Sequence, residues 1–72
     1  MEEYLSIIRK TIPTFKEEYL TMPIRNTGVD SIELVIIRVG FEKQFGNIIP
    51  DSKWTNFNTL SETIEYCENF GK

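Results

Sequence analysis

The segment Gly28-Val29-Asp30-Ser31-Ile32 runs directly into a largely apolar stretch that extends from Glu33 to Phe45. Aspartate is a preferred N-cap residue, and Gly46 follows the stretch as a typical helix-ending residue. The pattern therefore predicts the longest helix of the chain over about residues 31–45. It also places the Ser31 hydroxyl in the first turn of this helix, directly after a turn.

The N-terminal part of the chain predicts one helix followed by a long loop. Glu2 to Ile12 has apolar residues at helical spacing, and Pro13 disfavours any continuation of that helix. Thr14 to Leu20 predicts one more short helical turn, and residues 22–28 form a loop rich in turn-forming residues. The side chains expected to point inward are Tyr4, Leu5, Ile8, Ile12, Phe15 and Tyr19.

The C-terminal part predicts two further helices. Asp51 to Asn58 forms a short third helix, which carries Trp54 and Phe57 at the end of the bundle. Thr59 to Glu62 matches a capping box, so the last helix continues from there to about Asn69, with Gly71 past its end. Its inward side chains are Leu60, Ile64 and Cys67. The resulting fold class is all-α, with three main helices plus one short helix and a long first loop.

The second helix carries two apolar faces. At about 100° per residue, one face is suited to the core; it consists of Leu34, Ile37, Phe41 and Phe45. The roughly opposite face consists of Ile32, Val35, Ile36 and Val39. A small bundle can hardly bury both, so we expect the second face to be exposed and to bind partners. The alternative is a bundle that wraps this helix and buries both faces. Gly40 is expected to let another helix approach closely.

Composition excludes several kinds of chemistry. The chain has no histidine, which removes Ser-His-Asp and Cys-His catalysis and the common histidine-containing zinc sites. Its single cysteine, Cys67, allows no intramolecular disulfide, fits a reducing cytosolic compartment and is expected to be a small core residue. Asp51 to Glu62 has the length of a calcium loop, but Lys53 and Asn56 occupy positions that need an oxygen ligand and glycine. We therefore expect no catalytic residues and no metal site.

Charge and hydropathy exclude further classes. The net charge of −3 argues against nucleic-acid binding, and a helix-turn-helix protein is a distant alternative. The residues Met1 to Tyr4 do not start a signal peptide, and no apolar stretch is long enough to span a bilayer. The starting Met1 and the short termini favour a free-standing single domain over residues 1–72.

Four features in order resemble the acyl carrier protein family. They are Gly28-Val29-Asp30-Ser31-Ile32, the helix with Glu33-Leu34-Val35 and residues 41–45, the loop Ile48-Ile49-Pro50-Asp51, and the helix led by Thr59. The resemblance covers residues 28 to about 70, and it implies an acyl-carrier-like bundle. It also implies that the chain is a non-catalytic carrier of acyl groups.

The resemblance assigns roles to particular residues. Ser31 would receive 4′-phosphopantetheine from coenzyme A through a separate phosphopantetheinyl transferase, and Asp30 would help to position that enzyme and its metal ion. Acyl groups would be held as thioesters. The helix after Ser31 would bind acyl-loading and acyl-transferring or condensing enzymes; its partner-binding residues would be Ile32, Val35, Ile36 and Val39. A monomer in the cytoplasm is the expected state.

Three departures from the family pattern bear on the pathway. Thr27 stands where many relatives carry leucine, which predicts looser loop packing, and the segment before Gly28 is short and contains Pro13. The segment from Asp30 to Phe45 has three acids against two bases, so it lacks the strongly acidic character of fatty acid carriers. Ile36 occupies a position that is often acidic in fatty acid carriers. We therefore expect polyketide, peptide or other specialised biosynthesis rather than housekeeping fatty acid synthesis. The alternative is a small helical interaction module without a cofactor.

Overall fold

The computed structural model describes residues 2–70. Within this range the helices are α1 (Glu2–Thr11), α2 (Ser31–Phe45), α3 (Asp51–Trp54) and α4 (Leu60–Phe70). The long first loop contains 3₁₀ turns at Glu17–Leu20 and Ile24–Asn26. Residues 2–70 contain no strand, and the predicted all-α bundle of three main helices and one short helix is confirmed. Gly71, expected past the end of the last helix, lies outside the described residues.

Local chemistry sets the ends of the helices. Helix α1 has acidic residues in its first turn and basic residues in its last, as the helix dipole favours. Pro13 follows the last helical hydrogen bond, in which the Ile12 N–H donates to the Ile8 carbonyl. Before α4, Thr59 and Glu62 form the predicted capping box with each other's backbone N–H groups. The N–H groups of Asn58 and Thr59 both donate to Glu62 and lower the pKa of its carboxyl group.

The core lies between α1, the inner face of α2, and α4. The fully or nearly fully buried apolar side chains are Tyr4, Leu5, Ile8, Ile12, Ile37, Phe41, Phe45, Ile49, Leu60, Ile64 and Cys67. This list contains all inward residues predicted for α1 and α4, and three of the four predicted for α2; Leu34 is half-buried against the same cluster. Tyr4 and Phe41 form a T-shaped ring contact that joins α1 to α2.

Gly40 lies where α1 packs tightly against α2. A Cβ atom built at this position would lie 2.7 Å from the Cγ2 methyl of Ile7, far inside ordinary van der Waals contact. The expectation that Gly40 permits a close approach of another helix is confirmed.

Two predicted segments are shorter than expected. Helix α3 ends at Trp54 rather than at Asn58: the Asn56 side chain donates to the Ser52 carbonyl in place of its own backbone N–H, which donates to the Lys53 carbonyl instead. The helical turn expected from Thr14 begins only at Glu17. Phe15 nevertheless packs against the core, and Tyr19 forms a T-shaped contact with Phe15.

Candidate cofactor attachment site

A hydrogen-bonded turn leads the chain into α2. Gly28 has a φ of 80°, a left-handed conformation that glycine adopts without steric cost. The Thr27 hydroxyl donates to the Ile24 carbonyl at 2.6 Å and accepts from the Val29 N–H at 3.4 Å. The sequence predicts that Thr27 loosens the loop, but its hydroxyl instead links Ile24 to Val29 through these two hydrogen bonds. The Ile24 N–H also donates to the Asn58 carbonyl at 2.8 Å, which joins this loop to the segment before α4.

Asp30 and Glu33 form a capping box at the start of α2. The Glu33 N–H donates to Asp30 Oδ1 at 2.8 Å, and the Asp30 N–H donates to Glu33 Oε1 at 3.2 Å. The predicted N-cap role of Asp30 is confirmed. At the other end, Gly46 has a φ of 82° and donates its N–H to the Glu42 carbonyl, as expected of a C-capping glycine. Helix α2 therefore begins and ends where the sequence predicts.

Ser31 is the first residue of α2, and its side chain is exposed. Its hydroxyl forms no hydrogen bond with any residue from 2 to 70. The first N–H groups of a helix have no carbonyl partner within it, and together with the helix dipole they favour an anion at this position. An exposed alcohol at such a place is accessible to an enzyme and suited to carry a phosphate ester.

A cleft of about 660 Å³ opens beside Ser31. It lies between the loop before α2, the first two turns of α2, and the segment from α3 to α4; its main lining residues besides Ser31 are Ile24, Val29, Leu34, Trp54, Phe57 and Asn58. Trp54 and Phe57 meet in a T-shaped contact with ring centroids 6.0 Å apart. The cleft is large enough for a small organic group attached at Ser31. The residues present therefore fit a phosphate-linked prosthetic group at this serine.

The outer face of α2 is exposed over about two turns. The exposed fractions are 70% for Ile32, 57% for Val35, 52% for Ile36 and 45% for Val39. The prediction that the bundle leaves this face open is confirmed, and the alternative of two buried faces is wrong. Ile48, in the loop after α2, is also exposed. Exposed aliphatic side chains that form a continuous row are typical of a protein-binding surface.

A polar cluster joins the middle of α2 to α3. Arg38 donates through the same nitrogen to the Ile49 carbonyl at 2.7 Å and to Asp51 Oδ1 at 2.6 Å. Glu42, one turn further along α2, accepts from the Ile49 N–H at 2.9 Å and lies 3.5 Å from Arg38 Nε. The Arg38 guanidinium also lies 5.6 Å from the centre of the Trp54 ring. The hydrogen bond with Asp51 raises the pKa of Arg38 above its ordinary value.

Sequence reasoning missed this cluster. An Arg-Glu pair four residues apart on one helix is an ordinary surface pattern, and nothing local indicates that both side chains bind the backbone of Ile49. The nearest indication of the cluster in the sequence is that the long helix contains an arginine and that the chain has a single tryptophan.

The remaining predicted residues lie away from the cleft or within the core. Cys67 is buried, and burial raises the pKa of its thiol to about 11, so it is a core residue and a poor nucleophile. Within residues 2–70, no three or more carboxylates and thiols cluster as metal ligands would. None of the helices in the described range has the length and apolarity needed to cross a bilayer.

Comparisons with known proteins agree with this geometry. The family described as "Phosphopantetheine attachment site" matches residues 6–67. An acyl carrier protein of Campylobacter hominis is 33% identical over 49 residues, which cover 68% of this chain and 62% of that protein. Acyl carrier proteins from two strains of Porphyromonas gingivalis are 37% identical over 41 residues, which cover 57% of this chain and 53% of those proteins.

The aligned region thus spans between about half and three fifths of these relatives' own lengths. No solved structure matches the chain with statistical significance. The family match, by contrast, extends from α1 to the last turn of α4 and includes the turn, the cap and the exposed serine described above. The chain therefore belongs to the acyl carrier, or phosphopantetheine-binding, family, whose prosthetic group is 4′-phosphopantetheine.

Proposed function

We propose that the protein is an acyl carrier, a single carrier domain over residues 1–72, and that Ser31 is the residue to which 4′-phosphopantetheine is attached. The observation that supports this assignment is the exposed Ser31 hydroxyl, which forms no hydrogen bond within residues 2–70, at the first position of a capped helix. When bound, the prosthetic group would supply a terminal thiol that holds acyl groups as thioesters. In this proposal the chain catalyses no reaction and is itself the substrate of a phosphopantetheinyl transferase that uses coenzyme A.

The residues around Ser31 have distinct tasks in this proposal. The Asp30–Glu33 capping box keeps the first turn of α2 in place, so the Ser31 oxygen is presented at a fixed position. The backbone N–H groups at the start of α2 would stabilise the negative charge of the phosphodiester. The cap uses Oδ1 of Asp30, which leaves Oδ2 for a metal ion brought by the transferase.

We propose that Ile32, Val35, Ile36 and Val39 bind the partner enzymes that load, transfer or condense the acyl group. These side chains lie on the same helix as Ser31 and begin one residue after it. An enzyme that covers this face would therefore have its active site within reach of the attached arm. Because burial of exposed aliphatic side chains stabilises complexes, each of them should contribute to docking.

The charges of α2 support a specialised pathway with apolar docking. Glu33 is used in the capping box, and Glu42 is bound to Arg38 and to the Ile49 N–H. Neither carboxylate is left as an isolated charge for recognition by a basic enzyme. We therefore infer polyketide, peptide or other specialised biosynthesis rather than housekeeping fatty acid synthesis. The lone, buried Cys67 supports a reducing, cytoplasmic compartment for this work.

Intact-protein mass spectrometry tests the attachment. The protein is incubated with coenzyme A and a phosphopantetheinyl transferase of broad specificity, and we expect a gain equal to one phosphopantetheine group. Ser31→Ala should abolish the gain. Ser52→Ala is the matched control, because Ser52 is also exposed and also lies in the first turn of a helix; this variant should be modified like the wild type.

Other results would point away from the proposal. A mass gain that persists in Ser31→Ala would move the attachment to another residue. A wild-type protein that stays unmodified, although it folds and still binds a protein partner through Val35 and Val39, would favour the alternative of a helical interaction module without a cofactor.

A further inference from the structure

Helix α3 has few attachments to the rest of the bundle. It is a single turn of four residues, and three of them, Asp51, Ser52 and Lys53, are exposed. Only Trp54 packs against the core cluster, and it is itself half-buried. The position of α3 must therefore depend strongly on the polar contacts that reach it from α2.

Arg38 supplies most of these polar contacts. Its side chain binds the Ile49 carbonyl just before α3, the Asp51 carboxylate at the start of α3, and the face of Trp54 at its end. Glu42 assists by accepting the Ile49 N–H, so both backbone groups of this buried residue are bound to side chains of α2. The Arg38 side chain is only 23% exposed, so its contacts are partly shielded from water, whereas Asp51 is 87% exposed.

The same helix forms one wall of the cleft beside Ser31. Trp54 belongs both to the lining of the cleft and to the set of groups that Arg38 contacts. A change at Arg38 therefore affects the cleft through the Trp54 ring, although Arg38 itself does not line the cleft. By contrast, the opposite wall, formed by Val29 and Leu34, is held by the turn and the cap of α2.

We propose that Arg38 is a positioning residue that holds α3 against α2 and thereby sets the width of the cleft beside Ser31. The inference rests on the proposed function for one consequence only: with an acyl group tethered to Ser31, Arg38 determines how the cleft responds to the length of that group. The position of α3 itself can be tested on the unmodified protein.

Amide hydrogen exchange of the unmodified protein is the first test. The reporters are the N–H groups of Lys53, Trp54 and Thr55, whose acceptors lie in or next to α3, and that of Ile49, which donates to Glu42 of α2. In Arg38→Gln their exchange should accelerate about tenfold, because a partly shielded charge-assisted contact is lost. Exchange at Ile37 and Phe41, in the core of α2, should change by less than about twofold.

Three further variants sharpen this test. Arg38→Lys keeps a cation but loses the planar group over Trp54 and the Nε near Glu42, so its effect should be intermediate. Asp51→Asn removes the exposed ion pair alone and should accelerate exchange by no more than about threefold. Lys43→Gln, which removes an exposed cation from the same helix, should leave all reporters unchanged.

The second test uses the protein carrying acyl groups of increasing length, from acetyl to decanoyl, attached by a transferase from the corresponding acyl coenzyme A. Trp54 is the only tryptophan, so its fluorescence reports on this wall of the cleft. In the wild type the emission should change with acyl length, and in Arg38→Gln that dependence should fall at least about threefold. Lys43→Gln should behave like the wild type.

The outcomes separate the two proposals. Equal acceleration at α3 and at Ile37 in Arg38→Gln would reduce Arg38 to a contributor to overall stability and overturn the inference. The same dependence on acyl length in wild type and Arg38→Gln would overturn it as well. If Ser31 accepts no group at all, the proposed function fails, while the exchange experiment still decides whether Arg38 positions α3.

Discussion

Gly40→Ala tests the tight packing of α1 against α2 at this glycine. The new Cβ would lie 2.7 Å from Ile7 Cγ2, whereas carbon atoms in good contact are about 3.5–4.0 Å apart. This methyl is attached to a branched Cβ, so it can move away only if the side chain changes rotamer or α1 shifts. Such overpacking costs about 1–3 kcal/mol, and the better helix propensity of alanine offsets at most about 1 kcal/mol of it.

We therefore expect the free energy of unfolding to fall by about 1 kcal/mol, which lowers the Tm of a domain of this size by about 4–8 °C. Thermal unfolding followed by circular dichroism measures this change. Ile7→Leu is the diagnostic partner, because leucine has the same number of carbon atoms but no Cγ2 methyl on its Cβ. In the double variant, Gly40→Ala should cost less than half as much as it does alone. A rise in Tm for Gly40→Ala alone, as helix propensity predicts, would refute the reasoning.

Three other changes probe the face, the cap and the core. Val39→Asp alters a side chain that is 45% exposed, so the Tm should change by no more than about 4 °C. Acyl transfer by a partner enzyme should nevertheless fall about tenfold. A large loss of thermal stability together with the loss of acyl transfer would place Val39 in the core. Asp30→Ala removes the cap of α2 and should lower the Tm by about 4–8 °C, whereas Asp30→Asn keeps an acceptor and should cost less than half of that; equal melting of the two would count against the cap. Burial raises the pKa of Cys67 from 9.0 to about 11, so the unfolded thiol loses its proton first as the pH rises. Stability in urea should therefore decrease between these two values, and the decrease should be smaller in Cys67→Ala; an identical pH dependence in both proteins would contradict this.

Helix α2 could be predicted almost completely because the features that define it are local. Asp30 caps its start, Gly46 ends it in a left-handed conformation, and the apolar period identifies the face that meets the core. The open outer face also follows from sequence, since a bundle of this size has too few other side chains to cover it. The exposed Ser31 is a consequence of these same local features.

The link between α2 and α3 could not be predicted in the same way. It depends on the path of the loop after Gly46, which brings the backbone of Ile49 beneath Arg38 and Glu42. No periodicity encodes that path, because it results from burial of Ile49 in a core assembled from three helices. The early end of α3 has a local cause, the competing side chain of Asn56, and could have been anticipated.

The hydrogen bond from the Ile24 N–H to the Asn58 carbonyl means that the turn before Ser31 is supported from the far half of the chain. A synthetic peptide of residues 24–45 would contain the complete attachment motif but would lack the hydrogen bond to Asn58. A transferase that recognises a linear tag would accept such a peptide, whereas one that recognises the shape of the loop would require the intact bundle. Comparing the two substrates would therefore show whether a modifying enzyme recognises the linear sequence or the folded loop.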